Sequence, residues 1–307
     1  MSFRNFKYEL NEEQVEYSKK VAEYLVKQPE IQRFIEHYNC PEDVVKENAS
    51  TFKNWLESKR KAESFTREQL EKDPNLGNYI NLEYDSNTGI ISEVFYQLPL
   101  VQEIEKEVAY LKNYEIFELP LALQSAHFET INLEQENPNY LNILKTMIEF
   151  TSDNNLGYFL YGNLGIGKSY ICACVSNQFA KNGQKVMYVH VPTLMNTLKQ
   201  YFNNPSQMEY VLRRLRNVPL LVLDDLGAES ITSWSRDEIL LSILNDRMEN
   251  KRKTLITSNY NPDLLVELYK VDQRGVSDEI RAKRLVDRIF SLTQPYEMVG
   301  MNRRTKN

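Results

Sequence analysis

Residues 162–169, GNLGIGKS, fill the pattern G-x-x-x-x-G-K-[ST] of a phosphate-binding loop. The glycines of such a loop bring backbone N–H groups close to phosphate oxygens, and the helix that follows presents its positive end. Lys168 is expected to reach the β- and γ-phosphates, and Ser169 to bind Mg²⁺. The residues expected to bind a nucleotide, ATP, are Gly162, Asn163, Leu164, Gly165, Ile166, Gly167, Lys168, Ser169 and Tyr170.

A pair of acidic residues follows an apolar run further along the chain. The segment VPLLVLDDL reads as a buried strand that ends in Asp224 and Asp225. Asp224 is expected to anchor Mg²⁺ through water, in the manner of a Walker B strand. Asp225 stands where a carboxylate can orient and polarise an attacking water. The alternative is that the two carboxylates only cap the strand.

Two further segments carry candidate catalytic side chains. TLITSNY reads as a strand that ends in Asn259, whose amide could position the same water; alternatively, Asn259 is a turn residue before NPD. In the predicted helix DEIRAKRLVDRIFSL, Arg281, Arg284 and Arg288 share one face. If protomers pack side by side, one arginine could neutralise charge on a neighbour's ATP. The alternative is a solvated or salt-bridged face.

The elements around these segments predict an α/β fold. After about residue 139, short apolar strands alternate with amphipathic helices, which predicts a parallel sheet with helices on both faces. Before it, residues 9–72 have helical spacing and residues 78–96 have the alternation of a β-hairpin. We therefore predict a smaller, mainly helical domain with a hairpin at 1–115, a linker at 116–138, and an ATPase domain at 139–307.

Composition narrows the class of protein. The 307 residues include three cysteines and three histidines, too few for a disulfide framework or a zinc site of paired cysteines. Residues 1–150 carry a net charge of −11 and residues 151–307 one of +5, so the halves should meet different partners. The longest apolar runs are far shorter than the ~18 residues of a membrane span. We expect a cytoplasmic protein without membrane contact.

The segments GNLGIGKS, LLVLDDLGAE, ITSN and RLVDRI together resemble the AAA+ ATPases of the helicase-loader group. The resemblance covers about residues 120–307; the front of the chain matches mainly in length and element order. It implies an N-terminal domain that grips the replicative hexameric DNA helicase. It also implies an ATPase domain that self-associates, meets other primosome proteins and binds single-stranded DNA. The helicase would be delivered to that DNA during initiation or restart of replication.

By position, the resemblance makes Asn259 the sensor and Arg288 the arginine finger, with Arg284 as the alternative finger. It also points to Phe202 and to residues 232–234 as positions that meet single-stranded DNA. The residues that could stack on bases or hold phosphates there are Phe202, Tyr201, Trp234 and Lys199. The alternative is that these aromatic residues belong to the core.

This sequence departs from the family pattern in two ways. Some relatives resemble zinc-containing modules near the N-terminus, but this chain has no cysteine in the corresponding segment, so we expect no zinc. The chain also stops soon after the predicted finger helix, so we expect no helical lid and no arginine from one. The alternative functions are a transposition-helper ATPase and a scaffold that binds ATP without hydrolysing it. A P-loop kinase is less favoured, because no acceptor pocket or lid is recognisable.

Overall fold

The computed structural model describes residues 12–116, 119–134, 136–271, 275, 277–300, 302 and 303. The chain divides into two compact units, residues 1–108 and 109–307. Within the described residues, no helix is long and apolar enough to cross a bilayer.

The first unit is mainly helical. Its aromatic side chains Phe34, Phe52 and Trp55 meet edge to face in a buried core. The indole N–H of Trp55 donates to Asn81 Oδ1 at 2.8 Å, which ties the helices to the hairpin. The α-helices of this unit are α1 Glu12–Val26, α2 Pro29–Tyr38, α3 Glu42–Glu47, α4 Ala49–Glu63, α5 Arg67–Lys72 and α6 Pro99–Val108.

The hairpin lies where the sequence predicts it. Strand β1, Asn78–Asp85, pairs antiparallel with β2, Ile90–Gln97. In the turn, Asp85 accepts hydrogen bonds from the backbone of Asn87 and the hydroxyl of Thr88. Side-chain capping of this kind lets a short polar turn reverse the chain.

The second unit is built on a five-stranded sheet in which every pairing is parallel, in the order β4-β5-β6-β3-β7. Its strands are β3 Gly157–Tyr161, β4 Val186–His190, β5 Leu220–Leu226, β6 Lys253–Ser258 and β7 Gln294–Glu297. The first four were predicted from their apolar runs. The sequence reading did not find β7, because it is a short edge strand of mostly polar, exposed residues.

Helices cover both faces of this sheet. Alternate strand residues belong to two separate cores: Phe159 and Leu223 point into one, and Leu160 and Val222 into the other. Such a two-sided burial explains the continuous apolar runs of the strands. The α-helices are α7 Leu121–Gln124, α8 Pro138–Phe150, α9 Lys168–Lys181, α10 Val191–Gln200, α11 Pro205–Asn217, α12 Leu241–Glu249, α13 Pro262–Lys270 and α14 Glu279–Leu292, with a π-helix at Trp234–Leu240.

The segment expected to be a linker, 116–138, differs from that expectation in its described part. Leu119 and Ala126 are buried in a core of the second unit. The side-chain amide of Asn177 on α9 donates to three backbone carbonyls of this segment, those of Leu123, Gln124 and Ala126. The segment packs because its few apolar residues cover the outer side of α9. The boundary between the units accordingly lies at 108/109, earlier than the expected 115.

Candidate functional site

The phosphate-binding loop joins β3 to α9. Gly162, Gly165 and Gly167 have φ values of +142°, +77° and +102°, a region that side chains disfavour. A Cβ on Gly162 would lie 2.3 Å from the carbonyl oxygen of Met298, and one on Gly165 2.0 Å from the side-chain oxygen of Asn302. The glycines therefore serve both the turn of the loop and the close approach of residues near the end of the chain.

Lys168 is the first residue of α9, and only 7% of it is exposed. Its Nζ donates to the carbonyl oxygens of Gly162 at 2.7 Å and Asn163 at 2.8 Å, and to Asn259 Oδ1 at 2.9 Å. The ammonium is thus directed across the loop toward the end of β6. A compact charge held there can meet the terminal phosphates of a nucleotide.

Asp224 lies near the end of β5 and is 8% exposed. Its Oδ1 accepts from Ser169 Oγ at 2.8 Å and from Thr257 Oγ1 at 2.6 Å. Mg²⁺ prefers oxygen ligands and often takes only one or two from protein, with water and phosphate completing its shell. The Ser169 hydroxyl and the Asp224 carboxylate fit that requirement. No group of three or more His, Cys, Asp or Glu residues suited to a metal occurs in the part of the chain that the structure describes.

Asp225 adopts a left-handed backbone conformation, with φ of +61°. The β5–β6 register is irregular between Leu223 and Leu226, as at a β-bulge, and such irregularities redirect side chains. The backbone N–H of Asp225 donates to Thr257 Oγ1, and its Oδ1 accepts from Asn259 Nδ2 at 2.8 Å. The structure therefore brings Lys168, Asn259 and Asp225 into one chain of contacts.

These groups surround a cavity of about 400 Å³. Six of the nine loop residues named from the sequence line it; Gly162, Asn163 and Ile166 do not, and the Ile166 side chain is buried in a core. The complete lining is Leu123, Leu164, Gly165, Gly167, Lys168, Ser169, Tyr170, His190, Asp224, Asp225, Thr257, Asn259 and Arg303.

Four lining residues were not identified from the sequence: Leu123, His190, Thr257 and Arg303. His190 ends β4, and its Nε2 lies 3.8 Å from Asp225 Oδ2. Thr257 could have been found, since it stands two residues before Asn259 on the strand beside Asp224. Arg303 belongs to no motif that the sequence shows, and no C-terminal arginine was expected because no lid was expected.

The loop that follows Asp225 is fixed by a buried acid. The Glu229 carboxylate accepts from the backbone N–H of Gly227 at 2.8 Å and from the hydroxyl of Tyr269 on α13. Only 6% of Glu229 is exposed, and burial raises the pKa of its carboxyl despite these hydrogen bonds. This acid thus joins the strand end that carries the two aspartates to α13.

Neither Arg284 nor Arg288 lines the cavity of its own chain. Arg284 is exposed on α14. Arg288 is half-buried; its Nε donates to Asn245 Oδ1 at 2.8 Å, and its Nη1 lies 3.0 Å from Asp287. Any action of these arginines on a nucleotide would have to be on that of a neighbouring protomer.

The aromatic candidates for DNA contact form a pair. Phe202, in the turn after α10, is 55% exposed, and its ring centre lies 4.9 Å from that of Trp234 in an edge-to-face arrangement. Trp234 and Tyr201 are half-buried against the core, and Lys199 is half-buried on α10. The Phe202 ring is therefore the most exposed of the candidate stacking surfaces.

Comparisons with known proteins agree with this geometry. Residues 112–307 match the family described as IstB-like ATP binding protein. The replicative helicase loader DnaI of Bacillus subtilis (strain 168) is 31% identical over 68% of this chain and 68% of its own length. The replicative helicase loader DnaC of Escherichia coli (strain K12) is 28% identical over 52% of this chain and 64% of its own length. A crystal structure of DnaI matches with a TM-score of 0.52 and 28% identity, covering 59% of this chain and 95% of that one.

Proposed function

Because this chain belongs to the IstB-like ATP binding protein family, we propose that it is an ATP-dependent loader of the replicative DNA helicase. Residues 1–108 would bind the hexameric helicase, and residues 109–307 would bind ATP and single-stranded DNA. The observation that carries this proposal is the single cavity that joins the phosphate-binding loop, both aspartates and Asn259, in a chain whose two described relatives are helicase loaders.

The proposed chemistry is hydrolysis of ATP to ADP and phosphate. Asp225 orients a water and accepts its proton as the water oxygen bonds to the γ-phosphorus and the bond to the β,γ-bridging oxygen breaks. The Asn259 amide, which contacts both Lys168 and Asp225, holds that water between them. Lys168 supplies positive charge to the transferred phosphoryl group. Ser169 and, through water, Asp224 would hold Mg²⁺, which would supply positive charge to the phosphates.

Hydrolysis is proposed to depend on assembly. The cavity of a single chain receives neither Arg284 nor Arg288, so the protomer alone would be a slow ATPase. When protomers pack side by side through their ATPase units, Arg288 of one chain would approach the ATP of the next. An arginine supplied in this way accelerates phosphoryl transfer by about 10³- to 10⁵-fold in other nucleotide hydrolases. ATP binding would close these interfaces. Hydrolysis would loosen them and so release the helicase.

The second candidate is a transposition helper, because a putative insertion sequence ATP-binding protein of Sinorhizobium fredii (strain NBRC 101917 / NGR234) is 30% identical over 47% of this chain. Such a protein would bind duplex DNA and a transposase. That function does not explain the unit of residues 1–108, which has its own buried core and an excess of acidic residues. This unit suits a dedicated protein partner instead.

Complex formation with the replicative helicase of the same organism tests the proposal. The solution mass of the mixture is measured with and without ATP, using the full chain and residues 109–307 as the matched comparison. The full chain should give a stable complex that the truncated chain does not give. Failure of the full chain to form a complex in either nucleotide condition would remove the helicase as the partner.

A further inference from the structure

The described residues that follow β7 lie against the phosphate-binding loop. We name residues 298–300, 302 and 303 the C-terminal strap. The Met298 N–H donates to the carbonyl of Tyr161 at 2.7 Å, at the end of β3. The Arg303 N–H donates to the carbonyl of Gly165 at 2.8 Å. The strap is therefore hydrogen-bonded to the residue before the loop and to the middle of the loop. At Gly165 the missing side chain leaves room for Asn302.

The side chain of Arg303 is held beside the same loop. Its guanidinium carbon lies 4.3 Å from the ring centre of Tyr140. Its Nε donates to the carbonyl of Ile166 at 3.2 Å, and its Nη2 to Glu136 Oε1 at 2.7 Å. In its contacts with the described residues the guanidinium donates from Nε and Nη2, and Arg303 also lines the cavity.

We propose that Arg303 is a nucleotide-binding residue supplied by the same chain, which donates from its guanidinium to the α- or β-phosphate of bound ATP. This inference rests on the proposed function, since it requires the cavity to hold ATP. It adds an arginine that binds the ATP of its own protomer, whereas Arg288 would act on the ATP of a neighbouring protomer.

The position of Arg303 along the loop selects these phosphates. The backbone N–H of Arg303 donates to the Gly165 carbonyl and its Nε donates to the Ile166 carbonyl. These residues belong to the part of such loops whose N–H groups cradle the α- and β-phosphates. Of the groups expected at the γ-phosphate, Asn259 contacts both Lys168 and Asp225. Arginine is suited to this role because its planar fork donates to phosphate oxygens while one face stacks on an aromatic ring.

The test is titration of the full chain with ATP and with ADP, each with Mg²⁺, by calorimetry. Arg303→Ala should raise the Kd of both nucleotides by about tenfold or more, because both carry α- and β-phosphates. Arg60→Ala is the matched control, since Arg60 also pairs with a glutamate, Glu30, but on the first unit. This control should leave both Kd values unchanged. Thermal unfolding of Arg303→Ala without nucleotide shows whether the variant is folded at the temperature of the titration, which separates a lost phosphate contact from a lost fold.

The possible results distinguish the two proposals. A wild-type chain that binds neither nucleotide overturns the proposed function itself. A wild type that binds both, together with an Arg303→Ala variant whose Kd values lie within twofold of it, overturns only the role of Arg303. A loss confined to ATP would place the guanidinium at the γ-phosphate and would likewise overturn the assignment.

Discussion

At the scale of single residues, Asp225 is distinguished by its backbone. A non-glycine residue at φ of +61° is uncommon, although Asp and Asn tolerate this region better than other side chains. Such conformations cluster at functional sites, where the surrounding structure holds them in place. Here the contacts with Thr257 and Asn259 provide that support.

Asp225→Asn should therefore keep the fold and separate binding from chemistry. Asparagine accepts the left-handed conformation but cannot take a proton from water, so we expect ATP binding close to wild type and ATP turnover reduced by about 10²-fold or more. Calorimetric titration and phosphate release measure the two properties. Lys168→Ala is the comparison, which should lose binding itself. Wild-type turnover by Asp225→Asn would remove Asp225 from the mechanism.

A second residue-scale prediction concerns Phe202. Because its ring is exposed and a base–aromatic stack contributes about 1–3 kcal/mol, Phe202→Ala should weaken binding to single-stranded DNA by about 5- to 150-fold. Tyr210→Ala, which removes another exposed ring from the same unit, is the control and should bind as wild type. Anisotropy of a labelled oligonucleotide gives both affinities. Equal affinities in the two variants would make Phe202 a packing residue only.

The site residues that belong to a local motif could be predicted from the sequence. Residues that the fold brings to the site from a distant part of the chain could not. The spacing of Gly162 to Ser169 is local, and the aspartates follow a recognisable buried strand, so their types and order sufficed to name them. Arg303 lies 135 positions beyond Lys168, and only the pairing of β7 with β3 returns it to the loop. The periodicity of apolar residues does not indicate that β7 pairs with β3, so it could not place Arg303 beside the loop.

At the scale of secondary-structure elements, the loop after β5 is joined to α13 through the buried carboxyl of Glu229. Burial raises the pKa of this carboxyl above its ordinary value of 4.5. The folded state therefore holds a proton that the unfolded chain releases at lower pH. The stability that this proton contributes is fully present below pH 4.5 and is lost as the pH rises through the folded-state pKa.

Glu229→Gln should remove this dependence on pH, because glutamine keeps an acceptor for the Gly227 N–H and never ionises. We expect the stability of the variant relative to wild type to increase as the pH rises above 4.5. Thermal unfolding of both proteins at several pH values between 4.5 and 8 measures the difference. A relative stability that falls over this range would mean that the carboxylate is favoured in the folded state.

The elements themselves were predictable to different degrees. Buried strands such as β5 and amphipathic helices such as α14 have strong periodic patterns, and the structure has them where the sequence placed them. The π-helix at Trp234–Leu240 was not predicted, because the sequence was read only for the periods of α-helices and strands. Strand β7 was not predicted either, because it has only four residues and lies at the edge of the sheet.

At the scale of the whole molecule, two stretches of different charge are expected to meet different partners in an assembly. Residues 1–150 are acidic and residues 151–307 are basic, which suits a protein partner for the first and a polyanion for the second. The finger role of Arg288 also belongs to this scale, because it exists only between chains.

Mixing two inactive variants tests that role. Asp225→Asn lacks the water-orienting carboxylate and Arg288→Ala lacks the finger, so each alone should turn over little ATP. An equal mixture should recover about a quarter of wild-type turnover, because one interface in four then pairs an intact Asp225 with an intact Arg288. No recovery with Arg288→Ala, but recovery with Arg284→Ala, would transfer the role to Arg284.

The central claim is that this chain places a helicase on DNA at the expense of ATP. The direct measurement is the amount of replicative helicase bound to a single-stranded circle, with wild-type protein, with Lys168→Ala and with no addition, all in the presence of ATP. The account predicts that wild type raises the bound helicase several-fold and that Lys168→Ala does not. Equal amounts of bound helicase with and without the wild-type protein would contradict it.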